Sequence, residues 1–78
     1  MEPIEVTAHF DEHGKATPLR FTWKGSVYQV ESTGRRWADS NGQHILVMVP
    51  PGRIFELSFV NAEGRWYLGR VEPDRMVA

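Results

Sequence analysis

Apolar and polar residues alternate with period two, turn residues recur about every ten positions, and no segment has helical periodicity; together these predict an all-β domain. The expected architecture is a six-stranded antiparallel meander, either a curled sheet or a small SH3-like barrel. The 78 residues are too few for two independent cores, so residues 1–73 read as one domain and 74–78 as a short tail beyond Pro73. The composition, 41% hydrophobic and 24% charged, is that of a chain that folds without a templating partner. There is no cysteine to reinforce so small a core. Burial of Trp23, Trp37, Trp66, Phe10, Phe21, Phe55 and Phe59 must therefore supply its stability.

In the first strand, Ile4, Val6, Ala8 and Phe10 fall on one face and Glu5, Thr7 and His9 on the other, before a loop over residues 11–15. Leu19, Phe21 and Trp23 alternate up to Lys24-Gly25, and Tyr28 and Val30 alternate after it. A two-residue loop sets Phe21 opposite Tyr28, Leu19 opposite Val30 and Arg20 opposite Gln29, so apolar meets apolar. Adding a third loop residue would set Arg20 against Tyr28 and spoil the pattern.

The third strand runs on through Ser32-Thr33-Gly34-Arg35-Arg36-Trp37, where Gly34 marks a bulge expected to turn Trp37 into the core. Asp39 to Gly42 form a turn. Ile45 to Val49 are apolar without interruption, so this strand has two dry faces, and Pro50-Pro51-Gly52 ends it. In the last hairpin a four-residue loop, Asn61 to Gly64, sets Phe59 opposite Trp66 and Leu57 opposite Leu68, with Ser58 and Tyr67 on the other face. Glu72-Pro73 stops the sixth strand.

Catalytic chemistry finds no foothold. His9, His13 and His44 are not spaced to share a metal ion, so neither metal nor cofactor is expected. Ser26, Ser32, Ser40 and Ser58 lack the Gly-x-Ser-x-Gly elbow, and the seven glycines are scattered along the chain rather than gathered in a phosphate loop. Met1-Glu2-Pro3 runs directly into the first strand without the features of a signal peptide, and no apolar run reaches the ~20 residues of a membrane helix. A cytoplasmic chain without a membrane partner is the expectation.

Two surfaces are candidates for binding. The first is basic: Arg20, Lys24, Arg35 and Arg36, the last two beside Trp37, could hold phosphates while bases of single-stranded DNA or RNA stack on rings. The formal net charge of −1 argues against attraction over the whole surface, and Glu5, Glu31 and Glu56 could neutralise these cations across strands. The second is apolar. An even-length Pro-Pro-Gly-Arg loop places Leu46 and Met48 in the core with Phe55 and Leu57, leaving Ile45, Val47, Val49 and Ile54 outward as an interface. An odd-length loop exchanges the two faces of the strand and leaves His44, Leu46 and Met48 outside, so apolar surface remains in either register. Either the tail, through Met76 and Val77, covers the exposed set, or a second copy or partner protein does; the interface is the favoured reading.

The segment Gly14, Pro18, Arg20-Phe21, Trp23-Lys24-Gly25, Tyr28, Val30 and Trp37 resembles a bacterial domain family of unknown function with the pattern Gly-x-x-Pro-x-Arg-Phe-x-Trp-Arg-Gly-x-x-Tyr-x-Val and a later Trp. Here one extra residue separates Gly14 from Pro18, and Lys24 replaces the usual Arg. Phe55-Glu56-Leu57 and Gly64-Arg65-Trp66-Tyr67-Leu68 resemble the family's closing hairpin, so the resemblance covers most of the chain. Its members are often encoded beside or fused to Y-family translesion-polymerase-like proteins. The resemblance thus implies a non-catalytic accessory in DNA-damage tolerance, binding a protein partner or nucleic acid, and assigns no functional residue. A structural or homo-oligomeric domain is the remaining alternative.

Overall fold

The computed structural model describes residues 2–72 as seven strands: β1 (Glu2–Phe10), β2 (Ala16–Trp23), β3 (Ser26–Gln29), β4 (Ser32–Ala38), β5 (Gly42–Val49), β6 (Arg53–Val60) and β7 (Arg65–Glu72). Every neighbouring pair is antiparallel, in the order β3-β2-β1-β7-β6-β5-β4. The outermost strands, β3 and β4, are separated in the chain only by Val30 and Glu31. A sheet whose two edges are joined by two residues must curl on itself, so the expected curled all-β sheet is what forms.

The strand count rises from six to seven at this junction. The Val30 N–H bonds the Leu19 carbonyl on β2 at 3.0 Å, while the next N–H, of Glu31, bonds the Met48 carbonyl on β5 at 2.8 Å. Successive N–H groups of an extended chain point in opposite directions, so one peptide step carries the chain from one half of the sheet to the other. β1 likewise serves both halves, with Glu2 to Ile4 paired to β7 and Glu5 to Phe10 paired to β2. The tail (residues 74–78, with Met76 and Val77) and its junction at Pro73 lie outside the described residues.

Both hairpins have the registers that sequence parity requires. Phe21 pairs with Tyr28 and Arg20 with Gln29 across the turn at Lys24-Gly25, and Phe21 and Tyr28 stack with centroids 5.3 Å apart. Lys24 has φ 52° and Gly25 φ 79°, the two positive values of a type I′ turn. In the second hairpin Phe59 pairs with Trp66, Ser58 with Tyr67 and Leu57 with Leu68.

The β5–β6 turn reverses an expectation. Val49 pairs with Arg53, so the loop is Pro50-Pro51-Gly52, and the Gly52 N–H closes it on the Val49 carbonyl at 2.9 Å. With this odd length Ile45, Val47 and Val49 point inward and are 0%, 1% and 4% exposed, packed with Phe55 and Leu57. They are core residues, not the outward interface expected of them. Ile54 does face outward, paired with Met48.

Two further side chains leave their expected places because of bulges. Between Thr33 and Arg36, β4 advances three residues while β5 recedes by two, from Val47 to Ile45. The extra residue flips the pleat, so Arg36 lies opposite Ile45 on the inner face and Trp37 lies outside, opposite His44. A second bulge, between Thr7 and Ala8 of β1, leaves Leu19 of β2 without a partner on β1, and Leu19 is 47% exposed while Pro18 is buried.

Candidate binding surfaces

Side chains join the curled sheet along the seam where the start of β2 faces β4 and β5. Arg36 donates from Nη1 to the Ala16 carbonyl at 2.6 Å and from Nη2 to Thr17 Oγ1 at 3.3 Å. Gln43 accepts the Ala16 N–H at 3.1 Å and donates to the Gly14 carbonyl at 2.8 Å. Two residues further on, this edge presents Pro18, which has no N–H to satisfy. Arg36 is therefore part of the fold's closure and not a free phosphate-binding group.

The other basic residues do not gather around it. Arg20 is exposed on the outer face of β2, opposite Thr7 and Gln29. Lys24 sits at the hairpin tip with Nζ 4.8 Å from the centroid of Trp23. Lys24 follows the last residue of β2 whereas Arg36 grips the first, so strand length alone separates them by about 25 Å. Arg35 lies over the outer face of Trp37, 5.0 Å from its centroid. His44 stacks on the same indole at 5.3 Å and 12°, so the ring is already engaged within the domain.

His44 anchors this outer face. Its Nε2 lies 3.0 Å from Asp39 Oδ2 and its Nδ1 2.8 Å from Ser58 Oγ. A carboxylate only accepts, so Nε2 carries a proton, and in the neutral ring Nδ1 accepts from the Ser58 hydroxyl. The Glu56 carboxylate is 3.8 Å from Nδ1 and also 3.9 Å from Arg70 Nε. The N–H of Asn41, then the His44 ring, then the N–H of Gly42 hold the Asp39 carboxyl below the usual carboxylate range. Serine, histidine and aspartate in a chain resemble a nucleophilic relay, yet Ser58 is 1% exposed. Attack requires a substrate atom about 3 Å from the hydroxyl, and here that hydroxyl is enclosed by the fold. The relay instead fixes the ring on which Trp37 rests.

Beside it runs an apolar strip. Leu46 and Met48 of β5 and Ile54 of β6 share the outer face, with Met48 38% exposed. They border a groove of about 230 Å³ whose other wall is Ser32, Thr33 and Gly34, at the bulge of β4. Its β5 members, Leu46 and Met48, belong to the odd-register set and face outward because the β5–β6 loop has three residues.

Two cations escaped sequence reasoning. Arg53, on the inner face through its pairing with Val49, places its guanidinium 5.0 Å from Phe55 and 5.7 Å from Trp23. Its only sequence signal was the loop parity that went unresolved. Lys15 borders a cavity with Arg36, Trp37, Ala38, Gln43, His44 and Ile45, residues that only the seam brings together. Among the described residues no three His, Asp or Glu side chains form a metal-binding group, and no helix is long and apolar enough to cross a membrane. No protein-family model, curated protein or solved structure matches this chain.

Proposed function

We propose that the domain is a non-catalytic protein-binding module that docks through Leu46, Met48 and Ile54. The observation that carries this reading is the position of three aliphatic side chains on the outer face of the two strands that also supply Ile45, Val47, Val49, Phe55 and Leu57 to the core. A platform so anchored is preorganised, and covering it contributes roughly 1 to 2 kcal/mol per aliphatic side chain. The groove at Gly34 adds room for a partner side chain. The resemblance through Arg20-Phe21, Trp23 and Tyr28 supports placing the partner in a nucleic-acid-processing assembly, as an accessory to DNA-damage tolerance. Direct nucleic-acid binding is the weaker reading, because Arg36 is engaged within the fold and Arg20, Lys24 and Arg35 are dispersed.

The test is differential capture from native extract on immobilised domain. A partner retained by wild type and by Arg20→Glu/Lys24→Glu/Arg35→Glu, but lost with Met48→Glu and with Leu46→Glu, is the expected result. Capture that disappears with the triple charge reversal or with nuclease, and persists in both strip variants, would refute the proposal. Salt adds a second criterion, since phosphate contacts weaken steeply with ionic strength whereas apolar docking does not.

A further inference from the structure

Arg36 lies half-buried in the seam with only neutral partners, the Ala16 carbonyl and the Thr17 hydroxyl. Among the described residues no carboxylate comes within ion-pair distance of Arg36 or of Lys15 on the neighbouring loop. The nearby Asp11 carboxylate is turned to its own loop, where Oδ1 accepts the N–H groups of His13 at 2.8 Å and Lys15 at 2.9 Å. A guanidinium has five N–H donors, and Arg36 uses two of them within the fold. The remaining three are enough for a bidentate pair with a carboxylate.

Arg36 and Lys15 share the walls of one cavity with Trp37, Ala38, Gln43 and His44. Its volume of about 250 Å³ falls below the ~300–1,000 Å³ typical of small-molecule sites and suits a single side chain. We infer that this cavity is a carboxylate pocket that receives one Glu or Asp side chain of a partner peptide, paired with Arg36 and attracted by Lys15. An acidic peptide fits better than a nucleic-acid strand. The Trp37 ring already stacks on His44 and carries Arg35 5.0 Å from its centroid, so the pocket offers charge more than a stacking platform. The site is separate from the apolar strip, so it stands or falls independently of it.

The experiment titrates N-acetylated hexaglutamate, inorganic phosphate and oligothymidylate into the full chain, following amide, arginine Nε–H and indole N–H resonances by NMR. Hexaglutamate is expected to shift the Arg36 Nε–H, the Gln43 side-chain amide and the Trp37 indole together. Arg36→Lys, which keeps charge but loses the fork, is expected to weaken that response by about tenfold, the loss of one charge-assisted hydrogen bond. Lys15→Ala, an exposed substitution that leaves the fold intact, weakens it several-fold, and Arg20→Ala leaves it unchanged. The inference is overturned if hexaglutamate leaves those three groups unmoved, or if Lys15→Ala responds like wild type. A tighter response to phosphate or oligothymidylate than to hexaglutamate also overturns it.

Discussion

Replacing Arg36 by methionine separates a structural arginine from a surface one, because methionine keeps the aliphatic reach and removes the donors. Ala16 is fully buried, and its carbonyl accepts from Arg36 Nη1 at 2.6 Å, so the substitution strands that oxygen away from water. An unsatisfied buried carbonyl costs about 1 to 3 kcal/mol. Thr17 is only half-buried, and its hydroxyl can turn to solvent at little cost. The expected loss is therefore about 1 to 3 kcal/mol, which in a domain of this size lowers Tm by roughly 5 to 20 °C. The adjacent Arg35→Met is the control: Arg35 is exposed and lies over Trp37, an interaction of about 0.5 to 1 kcal/mol at a surface site. Circular-dichroism melts of both variants, with hydrogen exchange at the Ala16 amide, which Gln43 holds in the same seam, provide the readouts. If Arg36→Met melted with Arg35→Met and left the Ala16 amide protected, the assignment of Arg36 to closure of the sheet would be wrong.

Val47→Glu is expected to abolish cooperative folding, since it buries a carboxylate among Ile45, Phe55 and Leu57, whereas Met48→Glu should melt within about 1 kcal/mol of wild type; equal effects in urea titration would contradict the register of β5. Gly42→Ala should prevent native folding, because a Cβ there would stand 1.8 Å from the Phe59 carbonyl oxygen, backbone that cannot move aside; a native-like amide spectrum would refute this. The Asp39 carboxyl is lowered in the folded state by the Asn41 N–H, the His44 ring and the Gly42 N–H, and that of Asp11 by the Lys15 and His13 N–H groups. Their contribution to stability is thus present above the unfolded carboxylate range, near pH 4, and is lost as pH falls through the lowered folded value. Asp39→Asn should flatten the acid side of a Tm-against-pH curve; an unchanged acid limb would show that the turn gains nothing from this charge.

The two hairpins were legible because parity constrains them twice: the loop residues favour a reversal, and only one register sets aromatic against aromatic. The β5–β6 register was not, because Ile45 to Val49 are apolar at every position and either parity buries an equally good set. Pro-Pro-Gly-Arg can also be divided as three loop residues or four. The break between β3 and β4 left no trace because Val30-Glu31 contains no turn former; the chain changes partner there between one N–H and the next. Sequence placed Arg35 and Arg36 together, and a bulge correctly expected at Gly34 parts them, sending one outward to Trp37 and the other inward to Ala16. Likewise no local signal unites Lys15, Arg36 and Gln43, which meet only when the sheet curls.

How the edges are managed bears on where a partner can bind. A peptide that adds a strand needs a continuous run of unpaired backbone groups. β3 has only four residues, and β4 loses register between Thr33 and Arg36. At the start of β2, Gln43 and Arg36 occupy the N–H and carbonyl of Ala16, and Pro18 presents no donor. Short strands, bulges and edge prolines are the devices by which sheets resist strand addition, and all three occur here. Recognition by main-chain pairing is therefore disfavoured at each of these edges. Among the outward faces, that of β5 and β6 combines aliphatic surface with rigid support from the core beneath it. A partner that reads this face should be sensitive to the shape and charge of residues 46, 48 and 54, and indifferent to substitutions along β3.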